Sequence, residues 1–117
     1  MTIQPIILTP DLARLEAFYE QVFGATEVAR YPADGEVFFK SLQLGAAELG
    51  LVSQDLDLAT APRVVLSIGV DDVDALLPVV EAAGGRVQGP SNDMPWGQRV
   101  AHVLDPDGNP VNLTQQL

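Results

Sequence analysis

Residues 94–115 read Met-Pro-Trp-Gly-Gln-Arg-Val-Ala-His-Val-Leu-Asp-Pro-Asp-Gly-Asn-Pro-Val-Asn-Leu-Thr-Gln. This order predicts a turn, a strand, a second tight turn and a closing strand. In the tight turn, Pro106 presets φ at the second position, and Gly108 or Asn109 can take a positive φ. The flanking runs alternate apolar and polar residues, as a half-buried β-hairpin does. The segment therefore predicts a C-terminal hairpin that follows a Pro-Trp-Gly loop.

Upstream of this hairpin, strand and helix patterns follow one another in the same order twice. The first helix opens at Pro10-Asp11 and ends at Gly24, and its apolar residues recur at spacings of three and four. The second helix is capped by Asp71 or Asp72 and ends at Gly84-Gly85. It contains Pro78, which is tolerated only near a helix start or with a local distortion. Strands are predicted over residues 3–9, 26–31, 36–44 and 47–53, and then over 63–70, 86–88, 98–104 and 111–115.

The element order is thus β-α-β-β-β repeated, and it predicts an α+β fold. The capping residues Asp11 and Asp72 lie 61 positions apart, and the helix-ending glycines align within one residue. The polar stretch 54–62 is the one plausible linker. We therefore expect a single domain over residues 1–117, with module one at 1–53, the linker at 54–62 and module two at 63–117.

Three motifs together carry a resemblance to a known family. They are the Pro-Trp-Gly loop at 95–97, the Asp-Pro-Asp-Gly turn at 105–108 and Phe18-Tyr19 with Phe23-Gly24 in the first helix. This combination resembles the glyoxalase/bleomycin-resistance/dioxygenase superfamily, also called vicinal oxygen chelate proteins. The resemblance covers nearly the whole chain. It implies two βαβββ modules that form a curved mixed sheet around a cleft with the helices outside, and it implies a homodimer.

Composition limits the partners that the chain can take. Six basic and sixteen acidic residues give a net charge of −10, which argues against binding to nucleic acid or anionic lipid. The charge either attracts a cationic small molecule or serves only solubility. With no cysteine, disulfides and thiolate metal sites are impossible, as fits a cytoplasmic protein. We expect no signal peptide and no membrane-spanning segment.

The resemblance also implies where metal-using relatives would carry their ligands. Those positions fall at Gln4, Gly50, Val65 and Asn112. Val65 and Gly50 have no donor atom, and a Gln with an Asn cannot hold a divalent ion against water without a charged ligand. We therefore predict no metal and no cofactor. A shift of two residues in the fourth strand would bring Glu48 into the set, but Val65 would still lack a donor.

Strand alternation and the resemblance select the candidate ligand-binding residues, which are Gln4, Tyr31, Phe39, Glu48, Trp96, His102 and Asn112. Trp96 is either a stacking surface or a lid on the core. His102 is either a general base or a hydrogen-bonded wall residue. Glu48 is either the partner of a cation or a solvated carboxylate. Tyr31 and Phe39 belong either to the core or to a ligand platform, and we read Asp105 and Asp107 as turn residues.

Three functions follow from this set. The leading hypothesis is a metal-independent binding protein, similar to bleomycin-resistance proteins, that sequesters a cationic or aromatic small molecule. The alternative is a lyase or dioxygenase-type enzyme that uses a divalent metal or acid–base chemistry through His102 and Glu48. The third is a structural or regulatory module without a small ligand. On the leading hypothesis no residue is assigned a catalytic role.

Overall fold

The computed structural model describes residues 3–117 and contains two helices and nine strands within that range. Contacts divide the chain into two compact units, unit 1 ending at Asp57 and unit 2 beginning at Leu58. Each unit holds one helix and one mixed sheet, so the predicted α+β class and the repeated βαβββ order are confirmed. Neither helix in the described range has the length and apolar character of a membrane span.

Unit 1 packs its helix on one face of a four-stranded sheet. Its elements are β1 (Ile6–Thr9), α1 (Leu12–Phe23), β2 (Thr26–Tyr31), β3 (Phe39–Leu44) and β4 (Ala47–Ser53). The strand order is β1-β4-β3-β2, in which β1 is parallel to β4 and the other pairs are antiparallel. Buried apolar side chains of α1 and of the facing strand positions form its core, namely Leu15, Phe18, Tyr19, Val22, Leu42, Leu49 and Leu51.

Unit 2 repeats this plan with extra short strands. Its elements are β5 (Leu66–Gly69), α2 (Val73–Ala82), β6 (Arg86–Val87), β7 (Asn92–Asp93), β8 (Gln98–Leu104) and β9 (Pro110–Gln116). The order is β5-β9-β8-β6, with β7 also paired to β8, and β5 is parallel to β9. Its buried apolar residues include Val73, Val80, Ala101, Val103, Val111 and Leu113.

The helix ends lie where the capping residues predict them. Asp11 accepts a hydrogen bond from the Arg14 amide at 3.1 Å, and Asp72 accepts one from the Ala75 amide at 3.2 Å. These carboxylates satisfy amide groups that a helix start leaves without an intrahelical partner. Gly24 ends α1 with φ at 69°, a conformation that suits glycine. Pro78 lies inside α2, so the helix tolerates it beyond its first turn.

Several strands are shorter than predicted. The strand expected over 3–9 begins at Ile6, the one over 36–44 begins at Phe39, and the one over 63–70 covers Leu66–Gly69. Pro5 has no amide hydrogen for a ladder, although its carbonyl oxygen still accepts from the Gly50 amide at 2.9 Å. The two-residue strand β7 was not predicted, because it is too short to show a period.

Pairing registers show that the two units are structurally equivalent. In unit 1, Gly50 on β4 lies between Ile6 on β1 and Ser41 on β3. In unit 2, Asn112 on β9 lies between Ser67 on β5 and His102 on β8. Ile6 and Ser67 each precede their capping aspartate by five residues. The repeat therefore extends from element order to individual strand positions, although few residues are identical.

Candidate functional site

Each sheet has one face packed by its helix, and we call the opposite face the open face. In unit 1 the open face carries apolar side chains that remain exposed in the chain, since Ile6 is 52% and Tyr31 is 69% exposed. Leu8 is also exposed there, whereas Thr9, on the helix side of β1, is fully buried. An exposed apolar face of this kind is where a monomeric protein commonly binds a ligand or a second chain.

Three polar side chains form a hydrogen-bonded chain on the open face of unit 1, which we call the Ser41 cluster. The Gln4 amide nitrogen donates to Ser41 Oγ at 2.8 Å, and Ser41 Oγ donates to Glu48 Oε1 at 3.0 Å. Ser41 is only 3% exposed, whereas Glu48 is exposed. The buried hydroxyl thus has both a donor and an acceptor partner, and it orients a carboxylate toward solvent.

Gly50 lies beside this cluster in a crowded position. A Cβ atom built on it would lie 2.9 Å from Ile6 Cγ1 and 3.1 Å from Phe39 Cε2. It would also lie 3.6 Å from the Gln4 amide nitrogen. Carbon atoms pack best at about 3.5–4.0 Å, so a side chain does not fit here without movement of its neighbours. Because Gly50 has no side chain, the side chains of Gln4 and Phe39 can approach the backbone of β4.

The donor set does not fit a metal centre of four protein ligands. Gly50 and Val65 have no donor atom, and the crowding at Gly50 excludes a ligating side chain there. Across residues 3–117, no group of three or more His, Cys, Asp or Glu residues is placed to hold a metal ion. Glu48 lies close to Gln4 through Ser41, so the first unit offers one carboxylate and one amide, which is a weak site by itself.

None of the three aromatic candidates is fully buried. Tyr31 and Phe39 are cross-strand partners on β2 and β3, so both side chains belong to the open face, with Phe39 half-buried. Trp96 occupies the turn between β7 and β8 and is 67% exposed. Its indole N–H donates to Gln98 Oε1 at 3.0 Å. In the chain as described, neither Tyr31 nor Trp96 is a core residue, and both present ring surface to solvent.

The open face of unit 2 carries a histidine–asparagine pair. His102 on β8 opposes Asn112 on β9, and its Nδ1 atom lies 2.7 Å from Asn112 Oδ1. The imidazole is exposed and the amide is half-buried. The sequence analysis selected both residues but did not predict that they pair. The hairpin turn was a usable signal, since residues equidistant from Asp107 pair across it.

The remaining acidic candidates have structural roles. Asp105 Oδ1 accepts from the amides of Asp107 and Asn109, both at 2.9 Å, and Asp105 also accepts from the Asn109 side chain. These bonds tie the tight turn together, as we predicted for Asp105. Asp107 is likewise buried within the turn.

A charge cluster on the helix side of unit 1 was missed by sequence reasoning. Lys40 Nζ lies 2.7 Å from Glu16 and 2.9 Å from Glu27, and Glu27 also accepts from Arg30. Hydrogen bonds from Arg30 and then Lys40 lower the pKa of Glu27 to about 2. Burial lowers the pKa of Lys40, but hydrogen bonds to Glu16 and Glu27 outweigh it and leave that pKa raised. Burial and the adjacent Glu16 raise the pKa of Glu20. The cluster joins α1, β2 and β3 on the side away from the open face.

The chain is similar in sequence to known proteins. The model of the Glyoxalase/Bleomycin resistance protein/Dioxygenase superfamily matches residues 2–113. A Mycobacterium tuberculosis protein named "Putative glyoxylase CFP32" is 35% identical over 99 residues, which cover 85% of this chain and 37% of that protein. This chain therefore spans little more than a third of that relative. The uncharacterized Mycobacterium tuberculosis protein Rv0887c is 28% identical, covering 98% of this chain and 74% of its own length.

Solved structures share the fold. A glyoxalase/bleomycin resistance protein/dioxygenase family enzyme from Burkholderia phytofirmans PsJN has a TM-score of 0.82 and 26% identity, and 97% of each chain is covered. A bleomycin resistance determinant encoded on the transposon Tn5 has a TM-score of 0.72 and 23% identity, covering 99% of this chain and 98% of its own. The family match, the repeated βαβββ units and these structures agree, and this chain belongs to the glyoxalase/bleomycin resistance protein/dioxygenase superfamily.

Proposed function

We propose that this protein binds a small, partly aromatic, cationic molecule without the help of a metal ion, and so sequesters it. The observation that carries the proposal is the Ser41 cluster. A buried hydroxyl holds one oxygen of the Glu48 carboxylate on a face that also carries apolar and aromatic side chains. A carboxylate held at a protein surface attracts a cation more strongly than one free in bulk water does.

Aromatic groups on each unit offer further binding surface. Tyr31 and Phe39 form a cross-strand pair in unit 1, and Trp96 exposes its indole in unit 2. Each can contribute apolar contact area to a planar ligand, and a cation gains further from the face of an aromatic ring. The net charge of −10 also favours a cationic ligand. We propose Gln4, Tyr31, Phe39, Glu48, Trp96, His102 and Asn112 as the ligand-binding residues.

We further propose that the protein is a homodimer whose second copy packs on Ile6 and Leu8, at the β1 edge of the open face of unit 1. Ile6 and Leu8 remain 52% and 46% exposed in the single chain, which is costly for apolar side chains in water. Leu8→Glu would place a charge on this face and is expected to yield a monomer in size-exclusion chromatography with light scattering. A wild-type protein that is monomeric at micromolar concentration would contradict this proposal.

The experiment for ligand binding compares three probes of similar size. Benzylammonium, benzyl alcohol and phenylacetate are titrated into the protein and followed by NMR, and we expect benzylammonium to bind tightest. Glu48→Gln should lower the affinity for benzylammonium about tenfold, because a hydrogen bond to a charged group contributes about 1.5 kcal/mol or more. Glu36→Gln is the matched control, since it removes the same charge from an exposed residue outside the strands.

Two results would overturn the binding proposal. One is equal affinity for the cation and the anion, because the carboxylate and the negative field would then play no part. The other is unchanged benzylammonium affinity in Trp96→Ala and in Glu48→Gln. Native mass spectrometry of the protein as purified complements the titration, since a co-purified organic mass supports sequestration and a stoichiometric divalent ion contradicts metal independence.

A second candidate is an enzyme that uses His102 and Glu48 in acid–base chemistry. The hydrogen bond between His102 and Asn112 favours it, because a held imidazole is what proton transfer requires. Turnover of a co-purified compound that is lost in His102→Ala would support the enzyme. Retention of that compound unchanged over time would support sequestration instead.

A further inference from the structure

A polar row crosses the open face of unit 2. Ser67 on β5, Asn112 on β9 and His102 on β8 occupy neighbouring positions on three adjacent strands. Within the row, His102 Nδ1 and Asn112 Oδ1 lie 2.7 Å apart. The imidazole is exposed at the end of this contact, so its other nitrogen, Nε2, is the atom available to a bound molecule.

The contact with Asn112 Oδ1 points to the nitrogen that carries the proton of the neutral imidazole. An amide oxygen carries no hydrogen, so Nδ1 must be the donor in a hydrogen bond to Asn112 Oδ1. A neutral imidazole has one N–H, and Nε2 therefore keeps a lone pair. We propose that Asn112 is a positioning residue that fixes this tautomer, and that His102 Nε2 is a specificity-determining acceptor for an N–H or O–H donor of the ligand. The recognition half of this inference rests on the proposed binding function.

The open face of unit 1 has a comparable hydrogen bond between side chains. Ser41 matches His102 in register, and its hydroxyl donates to Glu48 as the imidazole N–H donates to Asn112. Each open face thus presents a held acceptor, a carboxylate oxygen in unit 1 and an imidazole nitrogen in unit 2. A ligand that satisfies either acceptor must carry an N–H or O–H donor. Protonated amines and amidines on an aromatic body meet this requirement, and quaternary ammonium ions do not.

The tautomer can be tested without any ligand. His102 is the only histidine, so its ring ¹⁵N signals need no assignment among others. At a pH where a free imidazole is neutral, long-range ¹H–¹⁵N spectra should show the Nδ1-protonated form. Asn112→Asp keeps an acceptor oxygen and should keep that form, whereas Asn112→Leu should return the ring to the mixture seen in a free histidine. A wild-type ring protonated at Nε2 would overturn the inference.

The recognition role is tested with two probes of equal charge. Benzylammonium has N–H donors, whereas benzyltrimethylammonium has none. His102→Phe keeps an aromatic ring but loses the acceptor. It should lower the affinity for benzylammonium about tenfold and leave the affinity for benzyltrimethylammonium unchanged. His102→Gln can place an amide oxygen near the position of Nε2 and should restore most of the loss. Gln116→Leu, on the same strand as Asn112, is the control for a surface substitution.

The outcomes separate this inference from the proposed function. If both probes bind the wild type and His102→Phe weakens neither or both equally, His102 is not the acceptor, although the binding function stands. If neither probe binds the wild type, the proposed ligand class and the recognition role both fail. In that case the ¹⁵N spectra still decide whether Asn112 fixes the tautomer.

Discussion

Replacing Gly50 with alanine tests the packing that shapes the open face of unit 1. The added Cβ would lie 2.9 Å from Ile6 Cγ1 and 3.1 Å from Phe39 Cε2. Both distances are shorter than the optimum of about 3.5–4.0 Å for carbon atoms. Ile6 is β-branched and stiff at χ1, and Gly50 lies in β4 between two hydrogen-bonded neighbours. The clash therefore cannot be relieved by rotation of a flexible chain end.

The magnitude follows from two opposing effects. Overpacking a well-packed site costs about 1–3 kcal/mol, whereas alanine in a strand gains about 0.5–1 kcal/mol over glycine. Gly69→Ala is the matched control, because a Cβ there lies 3.8 Å from Thr114 Oγ1, an ordinary contact. We expect Gly50→Ala to be less stable than Gly69→Ala by about 1–3 kcal/mol.

Urea unfolding followed by far-UV circular dichroism measures this difference. An Ile6→Ala background removes Cγ1, so the cost of Gly50→Ala should fall there, and the double-mutant cycle gives the coupling directly. The reasoning is refuted if Gly50→Ala is as stable as Gly69→Ala. It is also refuted if the cost of Gly50→Ala is the same with and without the Ile6 side chain.

Two further predictions concern charged groups away from the open face. Hydrogen bonds from Arg30 and Lys40 lower the pKa of Glu27 from its ordinary 4.5 to about 2. The contribution of the Glu27 carboxylate to stability is therefore present above pH 4.5 and is lost as pH falls toward 2. The difference in urea midpoint between wild type and Glu27→Gln should therefore become smaller as the pH is lowered. A difference that stays constant between pH 6 and pH 3 would contradict this prediction. Asp105→Ala leaves the turn amides of Asp107 and Asn109 without their acceptor and should cost about 1–3 kcal/mol in thermal unfolding. Asp105→Asn keeps an acceptor oxygen and should cost less, so equal losses in the two variants would argue against that explanation.

Local chemistry in the sequence was sufficient for the element order and the helix boundaries. Asp11, Asp72 and Gly24 cap their helices as predicted, because each needs only the conformation of its own neighbours. The Asp-Pro-Asp-Gly-Asn turn also determines the hairpin register, and with it the pairing of His102 with Asn112. That pairing was therefore predictable in principle from the turn.

Short and edge elements were predicted least well. The strand β7 has two residues, and the predicted strands that begin at residues 3 and 63 are shorter in the structure. A pattern of alternation needs more residues than these elements contain. Pro5 marks the true start of β1, since it cannot donate to the ladder.

Sequence alone determined the two βαβββ repeats, their caps and turns, and the family motifs that they carry. Only the tertiary structure decided which distant residues meet on the open face of unit 1. Ser41 bridges Gln4, 37 residues away, to Glu48, and Gly50 is required because Ile6 and Phe39 close over it. The physical reason is that β1 and β4 are parallel and far apart in the chain, so their register is set by packing against α1 and not by a connecting turn.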